Sequence, residues 1–346
     1  MLRQVLWRNS SHGLPSLFPC MLLLACLILS GCDTASLSPS RQPTPGKYTV
    51  SSDTIPINHP VTTTGCGKAS LIIPGTSADV TIAAHPAESI GQHTRSYRIH
   101  VPKNYTNTRP VAVVLSFHGF TGTGEGMEKS SGFSELADTQ DFLAVYPQGL
   151  RNAINGKYFW ADVGPIDFGV DDVLFVSDIL NDLQAKYCVD AHRIYAMGFS
   201  NGGGLTYLLA CRLAGRVASF GPMSANYYAI PGGCHPGRPV SILNIHGSAD
   251  PLLPYNGTSE NVNPDWPLPP VLQYLQAWAT RDGCTSGPTV FLKEPRVTGM
   301  QWQDCKGNSS IVHYRIENGG HSWPPLIHRE TAAQVLWQFF QAHPLP

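Results

Sequence analysis

Charged residues are scarce in this sequence. Asp, Glu, Lys and Arg make up 14% of the 346 residues, and the formal net charge is −1. A chain without a basic surplus lacks the electrostatic attraction that draws proteins to nucleic acids or acidic lipid surfaces. The composition therefore predicts no nucleic-acid partner and no membrane contact through charge.

Closely spaced cysteine pairs, which a zinc site would show, are also lacking. We therefore expect no metal ion. Three of the nine cysteines fall within or at the end of the amino-terminal apolar segment. An even number remains, which is typical of disulfides in an exported chain; these six are Cys66, Cys188, Cys211, Cys234, Cys284 and Cys305.

Residues 1–31 have the pattern of an export signal. Arg3 and Arg8 precede an apolar stretch that ends in Leu-Ser-Gly-Cys at Cys32. This ending resembles a bacterial lipobox, in which Cys32 becomes the lipidated first residue; a plain secretory signal or an uncleaved anchor is the alternative. We expect an extracellular protein or one on the outer membrane face, held to the membrane only through this lipid.

The rest of the chain divides into a tether and one domain. Residues 32–64 are rich in Ser, Thr and Pro without apolar periodicity, which predicts an extended tether. From residue 65 to 346, apolar runs of strand length alternate with helical patterns. This alternation predicts an α/β fold with a mostly parallel sheet and helices on both faces. The predicted strands are 96–101, 111–117, 142–146, 194–197, 218–223, 240–245 and 311–316; the predicted helices are 133–140, one capped by Asp171 and Asp172, 203–213, 269–280 and 330–342.

A Gly-x-Ser-x-Gly sequence lies between a predicted strand and a predicted helix, with Ser200 at its centre. This is the context of a nucleophile elbow, the tight turn of the α/β-hydrolase fold that exposes a serine at the head of a helix. Glycine two residues either side of the serine avoids a steric clash in that turn. Ser134, in Gly132-Phe133-Ser134, has a glycine two residues before it but lacks the second glycine and the preceding strand. Ser200 is therefore the predicted nucleophile.

A serine nucleophile needs a base and an acid, which in this fold follow the serine on later loops. Asp250 comes just after the predicted strand 240–245, although an aspartate before proline is also a common turn residue. His321 comes just after strand 311–316. We predict that Asp250 orients His321 and that His321 is the base. Other acids and histidines after the elbow have weaker placements; these are Asp265, Asp282, Asp304, His313, His328 and His343.

An acyl transfer also needs N–H donors at the carbonyl oxygen that becomes negative. In this fold one donor follows the nucleophile and the other follows an earlier strand. The backbone N–H groups of Asn201 and Phe120 occupy these two positions, the latter in His118-Gly119-Phe120-Thr121-Gly122. We expect His118 to support this loop rather than to act as a base.

The disulfide pairing can be approached from the elbow. A helix falls by about 1.5 Å per residue, so a helix from Ser200 to Cys211 descends about 16 Å and brings Cys211 near the foot of the preceding strand. This predicts Cys188–Cys211. Cys284 and Cys305 flank one local segment, which leaves Cys66 with Cys234, although fifteen pairings are formally possible.

Six motifs in this order resemble the secreted esterases of carbohydrate esterase family 1, grouped with polyhydroxybutyrate depolymerases, feruloyl esterases and acetylxylan esterases. The four cysteines 188, 211, 284 and 305 make the chain most similar to the feruloyl esterases. The similarity spans roughly residue 65 to the end and implies a Ser/Asp/His triad at Ser200, Asp250 and His321. The motifs are His118-Gly119, Tyr146-Pro147-Gln148-Gly149, Gly169-Val170-Asp171-Asp172-Val173, Gly198 to Gly203, His246-Gly247-Ser248-Ala249-Asp250 and Gly320-His321-Ser322-Trp323-Pro324.

The residues and the resemblance together predict a serine carboxylesterase that needs no cofactor. Its expected substrates are feruloyl or related aryl esters derived from plant cell-wall polysaccharide, and polyhydroxyalkanoates or acetylated xylan are the alternative. A non-catalytic surface binding protein on a hydrolase fold is the alternative of another class. Tyr158, Trp160 and Trp323 are candidates for lining the substrate cleft, although they could also pack in the core.

Overall fold

The structure, a computed structural model, describes residues 58–85, 94–152, 156–161, 170–225, 230, 233–258 and 267–346. The predicted export signal, Cys32 and most of the predicted tether lie outside these residues. The described residues belong to one compact unit, Lys47–Pro346. In this part of the chain, no helix has the length and apolar character needed to cross a membrane.

Most of the described strands join one large sheet. Ten strands of the described chain form it, in the order β1-β2-β4-β3-β7-β8-β9-β12-β11-β10, and β5 and β6 form a separate hairpin. The strands are β1 (Thr76–Ala83), β2 (Thr94–Val101), β3 (Val111–Phe117), β4 (Phe142–Pro147), β5 (Leu150–Arg151), β6 (Tyr158–Phe159), β7 (Val189–Phe199), β8 (Ser219–Met223), β9 (Ser241–Gly247), β10 (Ser286–Lys293), β11 (Val297–Gln303) and β12 (Ile311–Ile316).

The centre of the sheet is parallel and its edges are antiparallel. Strands β4, β3, β7, β8, β9 and β12 pair in parallel. Strands β1 and β2 at one edge, and β10 and β11 at the other, pair antiparallel to their neighbours. Every residue of β3 is buried, as its apolar sequence predicted, because helices cover both faces. The parallel strands therefore bring their carboxyl ends to one edge.

The helices divide between the two faces of the sheet. Apolar side chains of α3, α4 and α5 pack on one face, and those of α1, α2 and α6 pack on the other. The predicted mostly parallel sheet with helices on both faces is confirmed. The helices are α1 (Gly124–Ser131), α2 (Phe133–Gln140), α3 (Asp172–Lys186), α4 (Asn201–Arg212), α5 (Val271–Arg281) and α6 (Ala332–Ala342), and a 3-10 helix spans Lys306–Asn308.

Two of the three predicted disulfides are wrong. The structure pairs Cys284 with Cys305, as predicted, but it pairs Cys66 with Cys188 and Cys211 with Cys234. The predictions of Cys188–Cys211 and Cys66–Cys234 are thereby corrected. Three disulfides are typical of a chain that folds outside the reducing cytosol.

The wrong pairing of Cys188 with Cys211 came from assuming that α4 descends as far as β7 rises, although the length of β7 was not known from the sequence. The strand β7 from Val189 to Gly198 runs beside Val111 to Phe117, which is about 20 Å at about 3.3 Å per residue. The helix α4 rises only about 15 Å by Cys211, so it ends short of Cys188. The segment before β1 reaches Cys188 instead, since Thr64 and Gly65 both donate backbone N–H groups to Gln184 O at 2.9 Å.

A buried carboxyl ends α5. Asp282 is fully buried, and its Oδ2 accepts the Val240 N–H at 3.1 Å. Burial raises the pKa of Asp282 to about 6, although that hydrogen bond and nearby arginines oppose the rise. An unfolded aspartate ionises near about pH 4. Between these values the folded chain holds a proton that the unfolded chain has released, so raising the pH through this window lowers the free energy of unfolding.

Asp282→Asn should therefore stabilise the protein at pH 8 and have little effect near pH 4. A shift of about two pKa units corresponds to about 2–3 kcal/mol in the free energy of unfolding. Urea unfolding of the wild type and of Asp282→Asn, at pH 4 and at pH 8, measures this difference in the free energy of unfolding. Asp79→Asn, at an aspartate whose side chain is 74% exposed, is the control and should show no such gain. An equal effect of Asp282→Asn at both pH values would contradict the expectation.

Candidate active site

Ser200 lies at the turn between β7 and α4, at the carboxyl edge of the sheet. Its backbone has φ 56° and ψ −120°, a strained conformation for a residue with a side chain. The Ser200 N–H donates to Met223 O at 2.9 Å, which ties the turn to the end of β8. The hydroxyl is thus held at the head of α4, as the elbow predicted.

The elbow has no room for side chains at Gly198 and Gly202. A Cβ at Gly198 would lie 2.1 Å from Gly202 O, and one at Gly202 would lie 2.4 Å from Phe117 O. Both distances are far below contact distance, so each position requires glycine. The Gly-x-Ser-x-Gly spacing is therefore a steric requirement of this turn.

Asp250 and His321 stand on two loops that are joined to each other. The loop after β9 carries Asp250 and the loop after β12 carries His321. The Ala249 N–H donates to Gly319 O at 2.9 Å, and a Cβ at Gly247 would lie 2.3 Å from Gly319 O. Because the loops pack this tightly, their side chains have a fixed separation.

The structure brings the three predicted side chains into one hydrogen-bonded chain. The His321 Nδ1 lies 2.8 Å from Asp250 Oδ2, and the His321 Nε2 lies 2.8 Å from Ser200 Oγ. A carboxylate can only accept, so Nδ1 carries the proton and Nε2 offers its lone pair to the Ser200 hydroxyl. This is the tautomer that lets the histidine take a proton from the serine.

Both oxygens of the Asp250 carboxylate accept hydrogen bonds. Burial raises the free energy of its charged form, but hydrogen bonds from His321 and from the Leu253 and Leu252 N–H groups outweigh burial and lower the pKa of Asp250. Those backbone groups donate to Oδ1 at 2.9 Å each. The carboxylate is therefore ionised at neutral pH, with Oδ2 left for His321.

A second histidine lies beside Asp250, and the sequence placed it in a motif without giving it a role. His246 Nε2 lies 2.8 Å from Leu253 O and 3.5 Å from Asp250 Oδ2. Burial lowers the pKa of His246, although Leu253 O and the Asp250 charge oppose this. A neutral His246 therefore holds the turn whose N–H groups bind the carboxylate. In the sequence, the signal for this role was that His246 lies only four residues before Asp250.

The loop His118–Gly122, called the oxyanion loop here, lies against the elbow. A Cβ at Gly119 would lie 3.3 Å from Ser200 Cβ. Gly119 O accepts from His118 Nδ1 at 2.8 Å and from the Gly122 N–H at 2.9 Å. In a trans peptide the N–H points opposite to the carbonyl, so these two bonds aim the Phe120 N–H away from the His118 ring.

His118 is a supporting residue, as expected. Its Nε2 accepts the Gly149 N–H at 3.0 Å. Burial lowers the pKa of His118 to about 4, although the hydrogen bond to Gly119 O and the Asp172 charge oppose the shift. The neutral ring therefore donates from Nδ1 and accepts at Nε2, which joins the oxyanion loop to the turn after β4.

The Asn201 N–H is the second predicted donor. It opens α4, so it has no partner within the helix. Among the described residues, neither this N–H nor that of Phe120 has a protein acceptor. Both backbone groups lie next to Ser200 in the sequence or in space, and both are available to an oxygen bound there.

One of the three predicted cleft residues is buried in the interior. Trp160 is 1% exposed, and its ring packs edge-on against Phe117 at 5.4 Å. The prediction that Trp160 lines the cleft is wrong, because its polar groups all bond to protein. Tyr158 and Trp323 are half-buried and remain candidates. The Phe199 ring, which the sequence did not single out, lies 5.0 Å from the His321 ring.

The other histidines and acids considered from the sequence have separate partners. His313 is fully buried and bonds Tyr255 Oη at 2.8 Å, and His328 pairs with Glu294 at 2.6 Å. Asp304 accepts from Ser286 Oγ at 2.9 Å, and Asp265 lies outside the described residues. Across the described ranges, no cluster of three or more His, Cys, Asp or Glu side chains could hold a metal ion.

Part of the chain matches a known protein family. Residues 95–240 match the family described as Esterase PHB depolymerase. This match confirms the resemblance to esterases of that family. The matched region includes the oxyanion loop and Ser200, whereas Asp250 and His321 follow it.

Curated relatives of this chain are named as esterases. Feruloyl esterase B of Piromyces equi is 27% identical over 73% of this chain, a match that spans 46% of that protein. A probable feruloyl esterase C of Aspergillus oryzae is 28% identical over 82% of this chain and 93% of its own length. A bifunctional acetylxylan esterase/xylanase of Neocallimastix patriciarum is 28% identical over 66% of this chain and 31% of its own. These relatives support a carboxylic ester hydrolase.

Solved structures show the same fold. The acetyl xylan esterase from Aspergillus awamori superposes with a TM-score of 0.56 at 16% identity, covering 77% of this chain and 99% of that one. A thermostable esterase gives a TM-score of 0.53 at 17% identity, over 78% and 63% of the two chains. The described part of the chain has the α/β-hydrolase fold.

Proposed function

We propose that the protein is an exported serine carboxylesterase that hydrolyses feruloyl or related aryl esters of plant polysaccharide. The observation that carries the proposal is the chain from Asp250 Oδ2 to His321 and on to Ser200 Oγ, with 2.8 Å at each link. This geometry is that of a catalytic triad, in which a histidine held by an acid activates a serine.

The proposed reaction has two halves. Ser200 Oγ attacks the ester carbonyl while its proton passes to His321 Nε2, and the carbonyl oxygen, now negative, accepts from the Phe120 and Asn201 N–H groups. The carbon–oxygen bond to the alcohol then breaks, and the alcohol leaves with the proton from His321. A water molecule next gives a proton to His321 and attacks the acyl-enzyme, which releases the acid and restores Ser200.

Export and attachment are part of the proposal. Three disulfides among the described residues support folding outside the cytosol. We place a lipid on Cys32 and a tether between Cys32 and Asn58. The tether predicted for residues 32–64 is too long at its end, because residues 58–64 bond to the domain; Thr63 Oγ1, for example, donates to Val189 O at 2.8 Å. The mass of the native amino terminus tests the anchor, since a mature chain without lipid would contradict it.

The substrate class rests on the relatives named as feruloyl esterases and on aromatic side chains near the base. Trp323 lies two residues after His321 and is half-buried. Large aromatic surfaces are favourable contacts for an aryl acyl group. Acetylated xylan and polyhydroxyalkanoate are the second class, which the matched family and the acetyl xylan esterase structure favour.

A panel of three esters tests the function. We expect the highest kcat/KM with methyl ferulate, ahead of acetylated xylan and a hydroxybutyrate oligomer, because the ferulate ring can stack on aromatic side chains. Release of acid is followed by titration at constant pH. A preference for acetylated xylan or the oligomer would overturn the substrate class. Failure to hydrolyse any of the three would favour a non-catalytic binding protein.

A further inference from the structure

Trp160 follows the short hairpin β5–β6, and it bonds to both loops that carry the predicted oxyanion donors. These donors lie on separate parts of the chain, the oxyanion loop after β3 and the start of α4 after β7. A hole for an oxyanion works only when its donors converge on one point about 2.7–3.1 Å from each. Some group must therefore set the separation of the two loops.

The oxyanion loop binds to Trp160 and to its neighbour. The Trp160 indole Nε1–H donates to His118 O at 2.8 Å. The Thr121 N–H donates to Tyr158 O at 2.7 Å. These two bonds flank the peptide that presents the Phe120 N–H. The Trp160 ring also lies 4.8 Å from the His118 ring, so the loop is fixed by contact as well as by hydrogen bonds.

The start of α4 binds to the backbone of the same residue. Asn201 Oδ1 accepts the Trp160 N–H at 2.7 Å, and Asn201 Nδ2 donates to Trp160 O at 3.0 Å. The amide side chain thus pairs with both backbone groups of one residue. Because the Asn201 backbone supplies the second predicted donor, this pairing fixes that donor relative to Trp160.

Trp160 is itself anchored in the interior. The next residue, Ala161, donates its N–H to Asp172 Oδ2 at 2.7 Å, and Asp172 Oδ1 pairs with Arg95 at 2.5 Å. The side chains of that pair are 1% and 0% exposed. A position tied to a buried ion pair cannot shift without breaking it, so Trp160 is a rigid reference point for the two loops.

We propose that Trp160 is a positioning residue that holds the Phe120 and Asn201 N–H groups at the separation an oxyanion requires. The inference rests on the proposed acyl-transfer function. Among the described residues, Trp160 has no hydrogen bond or ring contact with Ser200 or His321, so its effect is on geometry. A displacement of about 1 Å in a catalytic group costs up to about a hundredfold in rate. The indole N–H to His118 O is the bond that one substitution can remove.

Trp160→Phe tests the proposal, because it keeps an aromatic ring and removes the indole N–H. We expect kcat for methyl ferulate to fall by about tenfold to a hundredfold, with KM within twofold. Affinity for a boronic acid, which forms a tetrahedral adduct on the serine and fills the hole, should fall by the same factor as kcat/KM. Affinity for coniferyl alcohol, which keeps the aryl group of ferulate but has no carbonyl or carboxylate oxygen to fill the hole, should stay unchanged.

Trp302→Phe is the matched control. Trp302, on β11, is also 1% exposed, and its Nε1–H donates to Gln276 Oε1 at 2.8 Å. The variant Trp302→Phe therefore loses an equivalent indole hydrogen bond. Its kcat and boronic acid affinity should match the wild type. Asn201→Ala, which removes the side-chain pairing and keeps the backbone N–H, should reproduce the Trp160→Phe effect.

The results separate this proposal from the function it rests on. If the wild type hydrolyses no ester, the proposed function fails. If Ser200→Ala abolishes hydrolysis but Trp160→Phe changes kcat and boronic acid affinity by less than twofold, the function stands and the positioning role is overturned. An equal loss of affinity for coniferyl alcohol and for the boronic acid also overturns it, since a general loosening of the site would then explain the result.

Discussion

Ser200→Ala is expected to lower kcat for methyl ferulate by about 10⁵–10⁶-fold, the loss seen when a triad serine is removed. The remaining rate comes from binding and from the N–H donors alone. The fold should not change, because Ala and Ser have the same Cβ and Ser200 Oγ bonds only to His321 among the described residues. Quenched assays of methyl ferulate hydrolysis measure the loss in kcat, after thermal unfolding has shown that Ser200→Ala and the wild type have the same Tm.

Ser134→Ala is the control for this result. Ser134 has a glycine two residues before it, as Ser200 does. Unlike that of Ser200, its hydroxyl lies 2.9 Å from both Glu128 Oε1 and Tyr146 Oη. The variant should keep its activity and lose some stability, because it leaves buried polar partners unsatisfied. Near-native hydrolysis by Ser200→Ala, or a collapse of kcat in folded Ser134→Ala, would show that the nucleophile is misassigned.

Asp250→Asn is expected to lower kcat by about 10⁴-fold. The Asn amide would donate to His321 Nδ1, so the imidazole proton would move to Nε2 and face Ser200. A protonated Nε2 cannot accept the serine proton, although the side chains keep their places. The Leu252 and Leu253 N–H groups still bind the remaining oxygen, so stability should change little. Initial rates on methyl ferulate measure the effect.

Asp304→Asn is the matched control, since Asp304 also follows a strand and was an alternative acid from the sequence. It is exposed and has φ 55°, a conformation that asparagine accepts readily. Its kcat should stay within twofold of the wild type. A loss below tenfold in Asp250→Asn would mean that Asp250 does not set the tautomer of His321.

The hydrogen-bonded arrangement of Ser200, Asp250 and His321 could be predicted because its signals are local. The elbow needs glycine at 198 and 202 for steric reasons, so its pattern is written in five consecutive residues. Asp250 and His321 each follow an apolar strand directly, and parallel strands bring such positions to one edge of the sheet. The strands β3 and β9 were visible for the same reason, since burial on both faces leaves a continuous apolar run.

Elements without strong periodicity were missed. Helix α1 contains two glycines and depends on the Thr123 cap, whose side chain accepts the Gly126 N–H at 3.0 Å. Strand β10 is mostly exposed, and β1 alternates only weakly. Their stability comes from neighbours in the folded chain, which single-sequence patterns do not contain.

The disulfides and Trp160 depend on long-range geometry. The length of β7 relative to α4 decided that Cys211 could not reach Cys188, and the path of the segment before β1 supplied Cys66. For Trp160, an aromatic residue near the site suggested substrate contact. The side chain instead uses its one N–H on His118 O, a partner 42 residues away. Neither outcome follows from spacing along the chain.

The central claim is that Ser200 forms the covalent acyl intermediate. A fluorophosphonate reacts with an activated serine and leaves a stable adduct, so intact mass spectrometry followed by peptide mapping locates the nucleophile. We predict one adduct per chain, on Ser200, with complete loss of methyl ferulate hydrolysis and no labelling of Ser200→Ala. An adduct on another residue, or full activity in the labelled protein, would contradict the account.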